Sequence, residues 1–176
     1  VGETHWSFQP IKRPDVPHGE GNPVDAYLNA RLAKAGVPAN GPASAQDLVR
    51  RVSIVLTGLP PSPEEVRAFE SRYAKDPKQA YIRLVEEQLG SKHFGERWAQ
   101  HWLDLARFAE TDGFEHDKLR PDAWKYRDWV INAFNDDMPY DKFVRLQLAG
   151  DEAGPENRVA TGFLTCGQDM PDINLQ

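Results

Sequence analysis

The chain has 176 residues, enough for one domain of upper-middle size whose core needs no disulfide. Its net charge is −6, from 21 basic and 27 acidic residues, which argues against nucleic acid or an anionic membrane as the main partner. The single cysteine, Cys166, excludes an internal disulfide, a cysteine-rich zinc site and a Cys-x-x-Cys-His haem-attachment motif within these residues.

The N-terminal part of the chain is predicted to be an extended arm followed by a helix. Residues 1–22 contain three prolines and little hydrophobic periodicity, which is typical of an extended arm. Asn22 followed by Pro23 predicts the start of a helix, and Gly36 predicts its end. We therefore expect an arm over residues 1–22 and a single helical domain over residues 23–176.

Three further helices are predicted in the first half of the domain. Ser44, with Asp47 three positions later, resembles a capping box and predicts a helix start. Ser62 precedes a proline and two glutamates, which is a strong start signal for the next helix. Residues 78–89 carry apolar side chains on one side and stop before Gly90.

A longer segment, residues 92–110, is predicted to be the central helix of the fold. At about 100° per residue, its tryptophans and Leu105 share one side, and only an arc of about 60° is polar. A helix that is apolar over most of its circumference is expected to be enclosed by its neighbours. Two more helices follow between a loop at 111–121 and Gly150, and the remainder is predicted to be loop with one short apolar element.

These patterns predict an all-α fold, an irregular bundle of about seven short helices around the tryptophan-rich one, because no segment alternates as a strand does. No run approaches 18 apolar residues, so no membrane span is predicted. The start shows no signal peptide, so we expect either a cytosolic chain or an already processed or excised fragment, and the end, which shows no helix stop, reads like a cut through a longer polypeptide.

The central helix carries candidate site residues. His101 falls within the apolar arc, which is compatible with a core histidine bonded to a carbonyl or with an acid–base group or metal ligand. Asp104 and Arg107 are i, i+3 partners, and Arg127 with Asp128 on the next helix can complete a charge network. The alternative is a small polar pocket for a carboxylate, a sugar hydroxyl or an ion, with His101, Asp104, Arg107 and Arg127 as catalytic residues.

Other motifs are weaker. The loop at residues 110–117 has enough oxygen ligands for calcium, but the spacing of its acids does not match an EF-hand. No glycine-rich phosphate loop and no Gly-x-Ser-x-Gly nucleophile motif is present. Cys166 lies in an apolar stretch and is predicted to be an inert core thiol.

Several segments together resemble one known family, the second of the domain families named for planctomycete cytochromes. The resemblance covers nearly the whole chain, and its long middle segment is highly specific. In chain order, the matching segments are "HWSFQPIKRPDVP", "NPVDAYLNARLAKAG", "RRVSIVLTGLPPSPEEV", "HFGERWAQHWLDLARFAETDGFEHDKLRPDAWKYRDWVINAFNDDMPYDKFVRLQLAGDE" and "ATGFL".

The resemblance implies a periplasmic or otherwise extracytoplasmic bacterial protein in which this domain has a cytochrome-c-like neighbour. It implies haem c on other parts of the parent polypeptide and no cofactor on this chain, and the family has no established catalytic residues to carry over. The leading hypothesis is therefore a helical scaffold or partner surface for a haem domain in electron transfer. The alternatives are an enzyme domain whose polar pocket acts on a small substrate such as a sugar, and a non-catalytic binding module.

Overall fold

The structure is a computed structural model that describes residues 5–18, 22–113 and 117–167. It confirms an all-α fold, and the described residues contain no strand beyond one isolated bridge between Thr111 and Leu119. The chain divides into two compact units, Val1–Pro42 and Ala43–Gln176. The first helix therefore groups with the arm, whereas the sequence placed a boundary after residue 22.

The first unit contains a short 3₁₀ helix, Trp6–Phe8, and helix α1, Pro23–Ala35. The Tyr27 hydroxyl on α1 donates to the carbonyl oxygen of Asp15 at 3.0 Å and lies 3.4 Å from that of Pro14. These contacts explain why the extended arm and α1 belong to one unit. Phe8, the last residue of the 3₁₀ helix, is 80% exposed.

The described residues of the second unit form six α-helices and a long 3₁₀ helix. In chain order they are α2 (Ala45–Thr57), α3 (Pro63–Tyr73), α4 (Pro77–Leu89), α5 (Lys92–Ala106), α6 (Ala123–Asn135), α7 (Tyr140–Ala149) and the C-terminal 3₁₀ helix (Pro155–Thr165). The last of these replaces the predicted loop and short apolar element.

The helix starts predicted from the sequence are confirmed by their capping hydrogen bonds. The side chains of Asn22, Ser44 and Ser62 each accept a hydrogen bond from the backbone N–H three residues later. The start at Ser62 is a complete capping box, because Glu65 also accepts from the Ser62 N–H at 2.7 Å. Ser91 caps α5 through the N–H of His93.

Two separate apolar cores stabilise the second unit. The first brings together α2, α3 and α4, with Phe69 and Val49 fully buried. The second brings together α5, α6, α7 and the segment near Cys166, around Val130 and Ala99. Helix α5 packs against both α2 and α6, so it connects the helices of the two cores.

The expectation that α5 is enclosed on most sides is wrong. Its buried residues are Gly95, Ala99 and Ala106, whereas Leu105 is 75% exposed. The helix also ends at Ala106 rather than at residue 110, because Arg107 adopts the left-handed conformation with φ 58°. The amides of Arg107 and Phe108 then bond to carbonyls of the last turn, as in a Schellman motif. A periodic pattern does not reveal that only one side of a helix has neighbours.

Candidate functional site

His101 lies on the exposed side of α5 and not in the core. Its ring packs edge-on against Trp98, with ring centroids 5.4 Å apart. The interpretation of His101 as a core histidine is therefore wrong, because the face of α5 that carries it has no covering helix over this position.

Asp104 and Arg107 are both exposed, and neither side chain forms a hydrogen bond or ion pair with a residue that the structure describes. Arg107 ends the helix in the left-handed conformation, which removes it from the i, i+3 geometry that predicted the pair. Among the described residues, neither Asp104 nor Arg107 joins the pair that Arg127 forms with Asp128, so the expected four-residue network is not formed. The catalytic assignment of His101, Asp104, Arg107 and Arg127 itself stays a prediction.

Arg127 on α6 uses its guanidinium elsewhere. It donates to Glu110 in the loop after α5 and to its neighbour Asp128, the latter at 3.0 Å. Its side chain is 38% exposed, so both pairs are solvated and each is worth at most about 1 kcal/mol. Arg127 therefore ties the α5–α6 connection to α6.

The exposed side of α5 carries an apolar row that we name the outer stripe. Its members are Phe94, Trp98, His101 and Leu105, which fall within an arc of about 60° at 100° per residue. The rings of Phe94 and Trp98 are 5.9 Å apart, and both are half-buried. The outer stripe becomes more exposed toward the C-terminal end of the helix, where Leu105 is the most exposed member.

A buried polar network lies on the other side of α5. Trp102 Nε1 donates to Gln147 Oε1 at 2.8 Å and lies 3.1 Å from the Tyr126 hydroxyl. Tyr126 donates to the same Gln147 oxygen at 2.6 Å, and Gln147 Nε2 donates to the carbonyl of Phe143. The sequence analysis missed this network. Gln147 is the one polar residue on the buried face of α7 beside Phe143 and Leu146, and this position on an apolar face was the available signal.

Burial shapes the acid–base behaviour of two groups in this core. Burial raises the pKa of the Tyr126 phenol well above its ordinary value, more than the hydrogen bond from Trp102 lowers it. Burial also raises the pKa of the Cys166 thiol, and the charge of Arg120 opposes the shift only in part. Cys166 is 7% exposed and its thiol bonds to the Gly162 carbonyl, which agrees with an inert core thiol.

Arg120 fastens the loop after α5 to the end of the C-terminal 3₁₀ helix. Its Nε donates to Asp112 at 2.6 Å, while the two terminal nitrogens donate to the carbonyls of Thr165 and Gly167 at 3.0 and 2.8 Å. A planar guanidinium spreads its donors over three nitrogens, and here each nitrogen donates to a different acceptor of the protein. The arrangement is therefore structural.

No cation site can be assigned in the loop at residues 110–117. Glu115 and His116 lie outside the described residues, so the calcium hypothesis for this loop stays a prediction. Within the part of the chain that is described, no three His, Cys, Asp or Glu side chains are close enough together to hold a metal ion. The same described part has no helix long and apolar enough to cross a membrane.

Comparison with known proteins gives one match. No curated protein and no solved structure matches the chain. A family profile does match it over residues 23–174, and that family is described as "Protein of unknown function (DUF1549)". The match covers most of the sequence, so the chain belongs to the PSCyt2 family, the planctomycete cytochrome-associated domain predicted from its segments.

Proposed function

We propose that residues 43–176 form a non-catalytic partner domain of a longer, extracytoplasmic protein that also carries a c-type cytochrome domain. In this proposal the outer stripe of α5 docks on a neighbouring domain of the same polypeptide. Haem c belongs to that neighbour, and this domain contributes a rigid surface for electron transfer. Membership of a cytochrome-associated family supports the choice of partner.

The observation that carries the proposal is the composition of the outer stripe. Two half-buried aromatic rings, an imidazole and a leucine follow one another along a single face of α5, and the imidazole and the leucine are exposed. Aromatic residues are enriched at the centres of protein interfaces, where they bury much area and lose little conformational entropy. Asp104 lies beside the stripe and is exposed, as is typical of the polar rim of an interface.

The enzyme hypothesis receives less support from the geometry. No hydrogen bond or ion pair among the described residues connects His101, Asp104, Arg107 and Arg127 to one another. General acid–base catalysis needs the reacting groups held within hydrogen-bond reach of a shared substrate atom. An exposed histidine beside an exposed aspartate provides no such enclosure, so we do not carry this function forward.

The proposal is tested by comparing Leu105→Glu with Leu148→Glu in the full-length parent protein. Leu148 on α7 is 57% exposed and lies outside the outer stripe, so the two substitutions add the same charge at similar exposure. Both should change the stability of residues 1–176 alone by less than about 0.5 kcal/mol, as surface substitutions usually do. In the parent protein, only Leu105→Glu should release the domain and speed proteolytic cleavage between domains by about tenfold.

Equal cleavage of the two variants in the parent protein would contradict docking through the outer stripe. The haem assignment has a separate readout. The denatured parent protein should retain the absorption of covalently attached haem c, which survives unfolding because the attachment is covalent. If the parent protein lacked that absorption, the assignment of a cytochrome neighbour would be contradicted. Docking through the outer stripe would still be tested by the two leucine variants.

A further inference from the structure

A cleft lies between the start of α6 and the C-terminal 3₁₀ helix, on a different surface from the outer stripe. Its volume is about 760 Å³, which falls within the range of small-molecule sites. One wall is the segment from Arg120 to Tyr126, and the other is the segment from Arg158 to Gly167. We name it the C-terminal cleft.

The two walls are held at a fixed spacing by contacts already described and by one close approach. Arg120 joins the first wall to the carbonyls of Thr165 and Gly167 in the second. Gly162 packs directly on Tyr126, since a Cβ atom at this glycine would lie 2.7 Å from the tyrosine Cβ. The cleft is therefore formed before any ligand arrives, which lowers the entropic cost of binding.

Charged side chains give the cleft a positive character within an acidic protein. Its lining includes the cations Arg120, Lys125 and Arg158 and the carboxylates Asp112 and Asp122. Arg120 forms an ion pair with Asp112. Lys125 forms an ion pair with Asp122 at 2.7 Å, and because this pair is exposed it contributes little stability and can rearrange. One cation is left over, which favours an anion.

Arg158 is that remaining cation. Its backbone carbonyl accepts from Thr161, but its side chain forms no hydrogen bond or ion pair with any residue that the structure describes. A guanidinium that has no partner among the described residues and lines a preformed cleft offers a planar pair of donors suited to a carboxylate. The hydroxyls of Thr161 and Thr165 donate to backbone carbonyls, so neither supplies a competing donor.

Apolar side chains complete the lining and restrict the class of ligand. Phe108 contributes a half-buried ring, and Leu164 and Val159 are 60% and 37% exposed on the second wall. A simple inorganic anion would leave these side chains in water. A ligand with an apolar body would cover them and gain about 25 cal/mol for each Å² of apolar surface removed from water.

We infer that the C-terminal cleft binds a small organic anion, a carboxylate with an apolar body, whose charged group is held by Arg158. The inference does not rest on the proposed docking function, because it concerns other residues.

The test is a titration of residues 1–176 with benzoate, in which the backbone amide chemical shifts are measured by NMR at each concentration. Amide shifts should saturate at Ala123, Gly162 and Thr165, with a Kd of about 1–10 mM for a ligand this small. Benzamide, which has the same shape without the charge, should bind about tenfold more weakly. Inorganic phosphate, which has charge without the ring, should also bind about tenfold more weakly than benzoate.

Arg158→Gln should weaken benzoate binding by about tenfold, because it removes the charge-assisted pair. Arg145→Gln is the matched control, since Arg145 is exposed on α7 and outside the cleft. Absence of saturable shifts at the cleft amides would overturn the inference. It would also be overturned if benzamide or phosphate bound as tightly as benzoate, or if the two arginine variants behaved alike.

Discussion

Two tryptophans on α5 differ in what their indole N–H groups contact. Trp102 donates into the network of Tyr126 and Gln147, whereas Trp98 Nε1 is buried without a hydrogen-bond partner among the described residues. A buried donor without a partner costs about 1–3 kcal/mol. Replacing each tryptophan by the same residue therefore compares the loss of an N–H group that has a hydrogen-bond partner with the loss of one that has none.

We predict that Trp102→Phe lowers the free energy of unfolding by about 1–2 kcal/mol more than Trp98→Phe does. Both substitutions shorten an aromatic ring on the same helix, but only the first removes a made hydrogen bond. Denaturant unfolding followed by far-UV circular dichroism measures the difference. If Trp98→Phe proved as costly as Trp102→Phe, the description of the network as the stabilising polar feature of the core would fail.

Arg107 gives a second prediction at the scale of one residue. A left-handed conformation costs a non-glycine residue about 1–2 kcal/mol, and glycine avoids that cost. Arg107→Gly should therefore raise the free energy of unfolding by about 0.5–1 kcal/mol after the greater freedom of the unfolded chain is subtracted. Gln100→Gly in the interior of α5 is the control and should lower it by about 1 kcal/mol.

Individual residues of the candidate site also differ in how far the sequence could predict their positions and contacts. Spacing placed His101 and Asp104 on one helix correctly, but Arg107 lies just beyond the end of that helix, and spacing alone does not say which side of it is covered. The left-handed turn at Arg107 has no sequence signal, because the usual signal is glycine or asparagine. The pairing of Arg127 with Glu110 depends on where the loop after α5 returns, which periodicity does not address.

At the scale of elements, the contact between α5 and α6 depends on a close approach of the two helices. The N–H of Gly95 donates to the side-chain oxygen of Asn135 at 2.8 Å, and Asn135 donates in turn to the Lys92 carbonyl. A Cβ atom on Gly95 would lie 2.4 Å from the carbonyl oxygen of Ile131, which is shorter than any real contact. The helices must separate to admit a methyl group.

Gly95→Ala is therefore expected to destabilise the second unit by about 1–3 kcal/mol, although alanine is the better helix former. Gly90→Ala is the control, because the nearest atom to an added Cβ there is 3.4 Å away and the backbone φ is −78°. Thermal melting of the two variants provides the measurement. A Gly95→Ala variant as stable as the wild type would show that α5 and α6 are not in direct backbone contact.

The helices themselves were predictable to different degrees for identifiable reasons. Asn22, Ser44, Ser62 and Ser91 marked helix starts correctly, because a capping side chain acts over only three residues. The C-terminal 3₁₀ helix was not predicted, since its eleven residues include a glycine and an apolar pattern too short to distinguish helix from loop.

For the molecule as a whole, the burial of two acidic groups, Tyr126 and Cys166, makes the stability of the fold depend on pH in the alkaline range. The native state raises the pKa of Tyr126 and of Cys166, so it keeps protons that the unfolded chain loses. The stabilisation from these two groups is complete below their ordinary pKa values of about 9 to 10 and falls as the pH rises above them. The free energy of unfolding falls in that pH range because the unfolded state binds fewer protons there than the native state does.

We predict that this loss is smaller in Cys166→Ala than in the wild type. The variant lacks one of the two buried acids, so between about pH 7 and pH 10.5 its free energy of unfolding should fall less steeply. Parallel denaturant titrations at the two pH values measure the change. Equal losses in both proteins would mean that the Cys166 thiol is not protected by burial.

The division into two units was the largest feature of the whole molecule that the sequence did not reveal. The composition of residues 1–22 suggested a separate arm, whereas the hydrogen bonds of Tyr27 group that arm with α1. The all-α class was predictable because no segment of the sequence alternates as a strand does. The grouping of helices depends on contacts between residues distant in sequence, which a single sequence does not display.

The central claim is that the outer stripe of α5 is covered by a neighbouring domain in the parent protein. Hydroxyl-radical footprinting of residues 1–176 alone and of the full-length parent tests it directly, with Leu148 on α7 as the internal reference. The account predicts that Trp98 and Leu105 are oxidised in the chain alone and protected at least about fivefold in the parent, as buried interface residues are. Equal oxidation of Leu105 in the two proteins, with Leu148 unchanged, would contradict it.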